Sequence, residues 1–171
     1  PGLTAGSLAD AFAAGTDNVE SLFATLAGRE NYAFTALNTA FAKDGAYIGI
    51  AADARLETPV HVVFVSSDLA EGRATYPRLL INAGENSSVI IVESYINLSE
   101  SPQLAVPVTE IFASSAARIR HYRIQIENEK SFHIGTTRVH QKADSSFTST
   151  SFATGASIGR NDIHTQLDEP G

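Results

Sequence analysis

The residues of this chain best suited to bind a metal or transfer a proton near neutral pH are its five histidines. They are His61, His121, His133, His140 and His164. Imidazole nitrogen suits iron or zinc, so two or three histidines stacked on one face would form a metal site. Their irregular spacing instead favours separate histidines that are hydrogen-bonded or exposed. Cysteine is absent, which excludes thiolate ligands within these residues, and we predict no metal ligand.

Two catalytic arrangements are open to the remaining polar residues. His140, Asp144 and Ser145 are close in sequence, but they lack the strained nucleophile turn and the oxyanion signature of a catalytic triad. Carboxylates on adjacent turns of a coil would suit acid–base cleavage of a polysaccharide. The carboxylates available for this are Glu127, Glu129, Asp162 and Asp168. Because Trp is absent and aromatic residues are few, a carbohydrate-active hydrolase or lyase is kept only as the alternative, and we predict no catalytic residue.

The elements that would position these residues are short apolar–polar segments between residues 116 and 167. In each segment two apolar residues lie five positions apart, as Ile119 and Ile124 do. Residues five apart in a straight strand point to opposite faces, so a corner or bulge within each segment would be needed to turn both inward. The other pairs are Ile134 with Val139, Phe147 with Phe152, and Ile158 with Ile163. Four repeats of one corner predict a solenoid, in preference to a β-sandwich.

The whole chain divides into a helical region at residues 1–44 and a β region at residues 45–171. Helices are predicted at Ser7–Ala14, from a capping box at Asp17–Glu20 to Gly28, and at Tyr32–Ala42. Strands are predicted at Ala46–Ala51, Val60–Ser66, Arg78–Ala83 and Ser87–Ile96, and Leu98–Val106 is predicted to be a loop. The nearly continuous apolar run Val60–Val65 predicts a strand covered on both faces. We expect the helices to cover the exposed edge of the first coil.

The charge of the chain argues against nucleic acid as a partner. Its formal net charge is −7, which opposes the phosphate contacts that dominate nucleic-acid affinity. Five basic residues between positions 118 and 138 are predicted to form a solvated face. They are Arg118, Arg120, Arg123, Lys130 and Arg138. No apolar run approaches the roughly 18 residues of a membrane span, so we predict no membrane partner and a cytoplasmic location.

Seven segments, taken in order, resemble the SufB/SufD family of iron–sulfur cluster assembly proteins. They are Phe34–Gly45, Leu56–Val62, Arg78–Ile81, Val92–Tyr95, Ala117–Tyr122, Asp144–Phe147 and Gly159–Asp162. Their order and spacing carry the resemblance over most of the chain. Leu56–His61, Ile119–Tyr122 and the lack of cysteine are closer to the SufD branch than to SufB.

The resemblance implies a right-handed parallel β-helix with two strands per turn and a flanking helical region. It also implies a non-catalytic, SufD-like scaffold that joins a SufB-like protein and a SufC-like ATPase in assembling an iron–sulfur cluster. Members of the family continue past the position of Gly171, where their partner contacts and cluster-site residues lie. We therefore expect a truncated β-helix without cofactor-binding residues, whose exposed end permits homo-oligomers. Substitution of Glu93 or Arg120 is expected to alter folding or assembly rather than a reaction rate.

Overall fold

The chain winds into a parallel β-solenoid of about four turns, built from two sheets. The computed structural model describes residues 2–16, 19–27, 32–67 and 73–169. Its helices are α1 (Leu8–Ala13), α2 (Val19–Leu22) and α3 (Ala33–Phe41). Its strands are β1 (Leu3–Ser7), β2 (Ala46–Ile50), β3 (Val60–Ser66), β4 (Ala74–Thr75), β5 (Arg78–Ala83), β6 (Ser88–Asn97), β7 (Leu104–Ala105), β8 (Val108–Ala113), β9 (Arg118–Ile126), β10 (Phe132–Gln141), β11 (Ser146–Thr154) and β12 (Ile158–Leu167).

Each turn contributes one rung to each sheet, and successive rungs pair in parallel. The first sheet stacks β2, β5, β8, β10 and β12, with β4 and β7 extending the second and third rungs. The second sheet stacks β3, β6, β9 and β11. Ser88 lies beside Arg118, and Arg118 lies beside Ser146, so equivalent positions stack from turn to turn. The predicted fold class, a mainly β chain with two strands per turn, is confirmed.

The bends of the coil lie between the strands and not within the predicted segments. Strand β9 is continuous, with Ile119 buried in the core and Ile124 on the opposite face. In β11, Phe147 packs against the same core while Phe152 is 62% exposed. The prediction that both members of each pair point inward is therefore wrong. The strands keep the ordinary alternation of period two, which places residues five apart on opposite faces.

A residue with a left-handed backbone makes the same bend in four turns. These residues are Asp53, Asn86, Ala116 and Asp144, whose φ angles are +62°, +54°, +58° and +58°. Asp and Asn tolerate this conformation better than most residues, which explains three of the four. The side-chain amide of Asn86 also donates a hydrogen bond of 2.8 Å to Asp53 of the preceding turn.

Two details of the β region differ from the sequence-based expectations. Strand β3 alternates between half-buried and exposed residues, so the prediction that both its faces are covered is wrong. The predicted loop Leu98–Val106 contains the short strand β7, and β8 follows it. Pro77 and Pro107 each separate a short strand from a longer one in the same rung, where a missing N–H donor is tolerated.

The helices lie over the outer face of the first sheet and do not cover its edge. Leu8, Ala11 and Val19 from α1 and α2 pack against Tyr47 and Leu80 of the sheet. Strand β1 pairs antiparallel with β2 and covers that edge, so the expectation of a helical edge cover is wrong. The five residues of β1, Leu3–Ser7, are too few and too small to give a clear apolar–polar alternation. The pairing of β1 therefore depends on the edge that β2 offers.

Two of the predicted helices are present as α1 and α3. The middle helix is the shorter α2, whose predicted cap at Asp17 and predicted end at Gly28 lie outside the described residues. The division of the chain at residue 44 stays a prediction.

A buried ion pair fastens the helices to the sheet. Arg78 of β5 and Glu110 of β8 pair on adjacent rungs, and both side chains are fully buried. The Glu110 carboxylate also accepts hydrogen bonds from three backbone N–H groups that follow α2. These donors are Ala24, Leu26 and Ala27, at 2.9, 3.0 and 2.9 Å. Arg78 donates to Asn38 and Thr39 of α3 at 3.0 and 3.1 Å, and its guanidinium lies 4.5 Å from the ring centroid of Phe23.

Glu110→Ala is expected to lower the free energy of unfolding by about 3–5 kcal/mol, because it leaves the buried Arg78 charge without its partner. Urea denaturation of the two proteins measures the difference. Glu85→Ala, which removes an exposed carboxylate of the same sheet region, serves as the control and is expected to change stability by less than about 0.5 kcal/mol. Equal effects of the two substitutions would contradict the anchoring role of Glu110.

Candidate functional site: a polar cluster inside the solenoid

Polar and charged side chains fill one half of the solenoid interior. They are Glu93 and Tyr95 of β6, Thr109 of β8, His121 and Arg123 of β9, and His133 of β10. Each is at least 95% buried. They point inward because they share the phase of core residues in their own strands, such as Ile91 and Ile119. We call this set the lumen cluster.

Glu93 lies at the centre of the lumen cluster. Its carboxylate accepts hydrogen bonds from His121 Nε2 at 2.7 Å, from Thr109 Oγ1 at 2.8 Å and from the Tyr95 hydroxyl. Burial by itself raises the pKa of Glu93. The hydrogen bond and charge of His121, with the charge of Arg123, outweigh burial and lower that pKa to about 2. Glu93 is therefore ionised at neutral pH.

Tyr95 is held in its neutral form beside this carboxylate. Burial, followed by the negative charge of Glu93, raises the pKa of Tyr95 well above its usual value. The Tyr95 hydroxyl therefore stays a hydrogen-bond donor to Glu93. Its ring stacks on Phe64 of the preceding turn, with the ring centroids 5.2 Å apart.

Arg123 links Glu93 to the second histidine. Its guanidinium lies 4.9 Å from the ring centroid of Tyr95 and contacts His133 Nε2. The other ring nitrogen of His133, Nδ1, lies 3.1 Å from the Glu127 carboxylate. Gly135 leaves room for this arrangement, since a Cβ atom there would lie 2.5 Å from the Arg123 guanidinium.

The geometry of the lumen cluster suits support of the fold better than proton transfer. Glu93 is hydrogen-bonded to His121, and Arg123 contacts His133 Nε2. Burial separates Glu93 from solvent. A general acid or base works best with a pKa near the operating pH, and the pKa of Glu93 is far below that range. The contact between His121 Nδ1 and Ser149 Oγ, 3.2 Å, extends the cluster into the fourth turn.

The five histidines do not converge. His121 and His133 belong to the lumen cluster, while His61 is exposed and contacts Ser94 at 2.8 Å. His140 contacts Asp168, and His164 lies 5.1 Å from the ring of Tyr32. Within the described ranges, no group of three His, Asp or Glu side chains is placed to hold a metal ion.

The triad-like residues considered in the sequence are likewise dispersed. His140 pairs with Asp168 and not with Asp144, and the Ser145 hydroxyl donates to the Lys142 carbonyl at 2.7 Å.

The carboxylates considered for polysaccharide cleavage lie in different surroundings. Glu127 contacts His133 in the interior, Asp162 pairs with Arg160 at 2.8 Å, and Glu129 is exposed.

The predicted solvated basic face is only partly correct. Arg118, Arg120 and Lys130 are exposed, whereas Arg123 and Arg138 are buried. The period-two alternation of β9, with Ile119, His121 and Arg123 in one phase, is the sequence signal that could have identified the inward arginine.

Comparison with known proteins identifies the family. Residues 64–171 match the family model described as the SUF system FeS cluster assembly SufBD core domain, and residues 1–62 match the SufBD protein N-terminal region. The chain belongs to the SufB/SufD family. The resemblance seen in the sequence is thereby confirmed at the level of the family.

Two relatives of this SufB/SufD chain extend the comparison. An iron–sulfur cluster assembly SufBD family protein of Synechocystis sp. is 32% identical over 148 residues, which are 81% of this chain and 33% of the relative. Protein ABCI7, chloroplastic, of Arabidopsis thaliana is 26% identical over 139 residues, 78% of this chain and 29% of the relative. The chain thus spans about a third of the length of these relatives. Among the described helices, none is long and apolar enough to cross a membrane.

Gly135→Ala is expected to lower the free energy of unfolding by about 1–3 kcal/mol, because the added methyl group collides with the Arg123 guanidinium. Gly159→Ala is the matched control. It adds the same group on the neighbouring rung, where the nearest atoms of Gln125 are 3.6 Å away. Urea denaturation should show a clear loss for the first variant and a much smaller change for the second. Equal stability of the two variants would show that the cluster does not need Gly135.

The lumen cluster is also expected to make stability fall at acid pH. The folded-state pKa of Glu93, about 2, lies below its ordinary value of 4.5, so ionised Glu93 stabilises the fold above pH 4.5. This contribution, about 3 kcal/mol, is lost as the pH falls from 4.5 towards 2. Denaturation at a series of pH values should therefore show that the stability advantage of the wild type over Glu93→Gln narrows across this window. An advantage that does not vary with pH would contradict the lowered pKa.

Proposed function

We propose that this chain is part of a SufD-like, non-catalytic scaffold protein that takes part in iron–sulfur cluster assembly. The lumen cluster is the observation that carries this proposal. Three charged or titratable residues of the SufB/SufD chain that could otherwise take part in acid–base chemistry are buried and interact with one another. They are Glu93, His121 and Arg123. Such an arrangement supports a rigid body on which other proteins assemble.

The SufD branch is favoured by the sequence. The segments Leu56–His61 and Ile119–Tyr122 resemble SufD more closely than SufB. We expect SufB-type chains to carry a cysteine in this region, and this chain has none.

The partners we propose are a SufB-like protein and a SufC-like ATPase. Their contacts and any cluster-site residues are expected in the parts of the relatives' length that this chain does not span. ATP would be used by the SufC-like partner, and no cofactor is assigned to the residues of this chain. The cytoplasm remains the expected location, although the Arabidopsis relative is chloroplastic by its name.

The last described rung offers a second kind of contact. Leu167 is 71% exposed and Ile163 is 43% exposed, although their strand positions correspond to interior positions of β10. An open rung with apolar inward positions favours stacking of another rung, so we propose that two copies of this chain associate end to end when the position is not otherwise filled.

Anaerobic co-purification of the whole tagged protein, of which this chain is proposed to be part, with SufB-like and SufC-like proteins tests the proposed function. We expect a complex of fixed stoichiometry, and we expect Glu129→Gln, which alters an exposed carboxylate, to leave its yield unchanged. A folded protein that captures neither partner would contradict the proposal. Cleavage of a polyuronide by the purified protein, abolished by Glu127→Gln, would instead support the carbohydrate-active alternative.

A further inference from the structure

The outer face of the second sheet carries an apolar patch that no described segment covers. Seven residues on β3, β6, β9 and β11 form it: Val63, Val65, Ile96, Tyr122, Ile124, Ile126 and Phe152. Val63, Ile124 and Phe152 lie in one row across the sheet, and Val65, Ile96 and Ile126 lie in the next row. Because the four strands pair in register, side chains from four turns form one continuous surface. We call this surface the outer patch.

The outer patch is exposed to an unusual degree for its composition. Phe152 is 62% exposed, Val65 53% and Ile126 49%. On the first sheet, by contrast, the outward residues Tyr47 and Leu80 are almost fully buried beneath α1 and α2. Large contiguous apolar patches on a protein surface mark sites of interaction.

The dimensions of the outer patch fit one helix. Its rows span about 14 Å along the strands, since positions four residues apart in a strand are separated by roughly that distance. Its four strands span a similar distance across the sheet, at about 4.8 Å per strand. An α-helix with its side chains is about 10 Å wide, so a single helix covers most of the patch.

The flank of the outer patch at the start of β9 is positively charged. Arg118 and Arg120 are exposed on the same face as Tyr122, and neither forms an ion pair with any residue that the structure describes. Arg78 and Arg160, in contrast, pair with Glu110 and Asp162. Two unpaired arginines beside an apolar surface, on a chain with a net charge of −7, favour a partner with acidic residues at that edge.

We propose that the outer patch binds an amphipathic helix of a partner protein, with its apolar stripe on the patch and Asp or Glu residues facing Arg118 and Arg120. This mode of recognition places a helical stripe of spacing i, i+3, i+4 and i+7 on an apolar surface. The surface is separate from the lumen cluster and from the open rung, so the proposal holds whether or not the chain is SufD-like.

Two labelled helical peptides test this proposal by fluorescence anisotropy with the whole chain. Both carry the same leucine stripe over about 18 residues, and one has Glu while the other has Lys along the flanking edge. We expect the Glu peptide to bind at least about tenfold more tightly, and this preference to weaken with salt. The double variant Arg118→Glu with Arg120→Glu is expected to reverse the preference, whereas Lys142→Glu, a single charge reversal away from the patch, should preserve it.

A second double variant separates the contribution of apolar contacts to peptide binding from the contribution of charge. Tyr122→Ser with Phe152→Ser is expected to weaken binding of both peptides by at least about tenfold, while its circular dichroism stays that of the wild type. Binding of neither peptide, or equal binding of both, would overturn the proposal. Self-association of the wild type that the Tyr122 and Phe152 substitutions abolish would also overturn it, because a second copy would then be the occupant.

Discussion

Parallel stacking in register is the constraint on which the rest of this structure depends. Every inward side chain meets the equivalent position of the turns before and after it, so its partners must come from those neighbours. A buried carboxylate in such an interior is tolerated only if adjacent turns supply donors, as Thr109 and His121 do for Glu93. The same registration keeps exposed apolar residues together on the outside, since outward positions stack as strictly as inward ones.

Among the described residues, two fully buried carboxylates make two different attachments. Inside the coil, Glu93 joins neighbouring turns, while outside it Glu110 and Arg78 join the coil to the helices. The second pair satisfies backbone N–H groups that follow α2, which have no sheet partners of their own. Because each carboxylate accepts from several buried donors, its removal leaves those donors without a partner, and the effect on stability is expected to be large. Attachments of this kind suit the rigid support that we propose for this chain.

The sequence indicated the correct fold class through four repeats of similar segments and through the resemblance to the SufB/SufD family. It failed on the bends. Apolar residues five apart indicated a corner within each segment, whereas the actual bends are left-handed residues such as Asn86 and Asp144 between strands. Strand β1 lacked any signal of its own, since it forms on an edge that another segment provides.

The polar interior could be foreseen in part. Alternation in β9 places His121 and Arg123 in the phase of Ile119, so this pattern predicts the inward arginine and the clustering of basic residues does not. The partners of Glu93 could not be foreseen, because pairing across turns depends on a register that loop lengths set. A local pattern carries no information about which rung lies opposite.

Glu93 is a structural anion that stays ionised from neutral pH down to about pH 4. Measuring the carboxyl carbon shift of Glu93 by 13C NMR across a pH titration of the folded protein tests this directly. We expect no titration between neutral pH and about pH 4, in keeping with a pKa of about 2. A midpoint near neutral pH would contradict it, because Glu93 would then be poised to transfer protons and the lumen cluster would be a candidate active site.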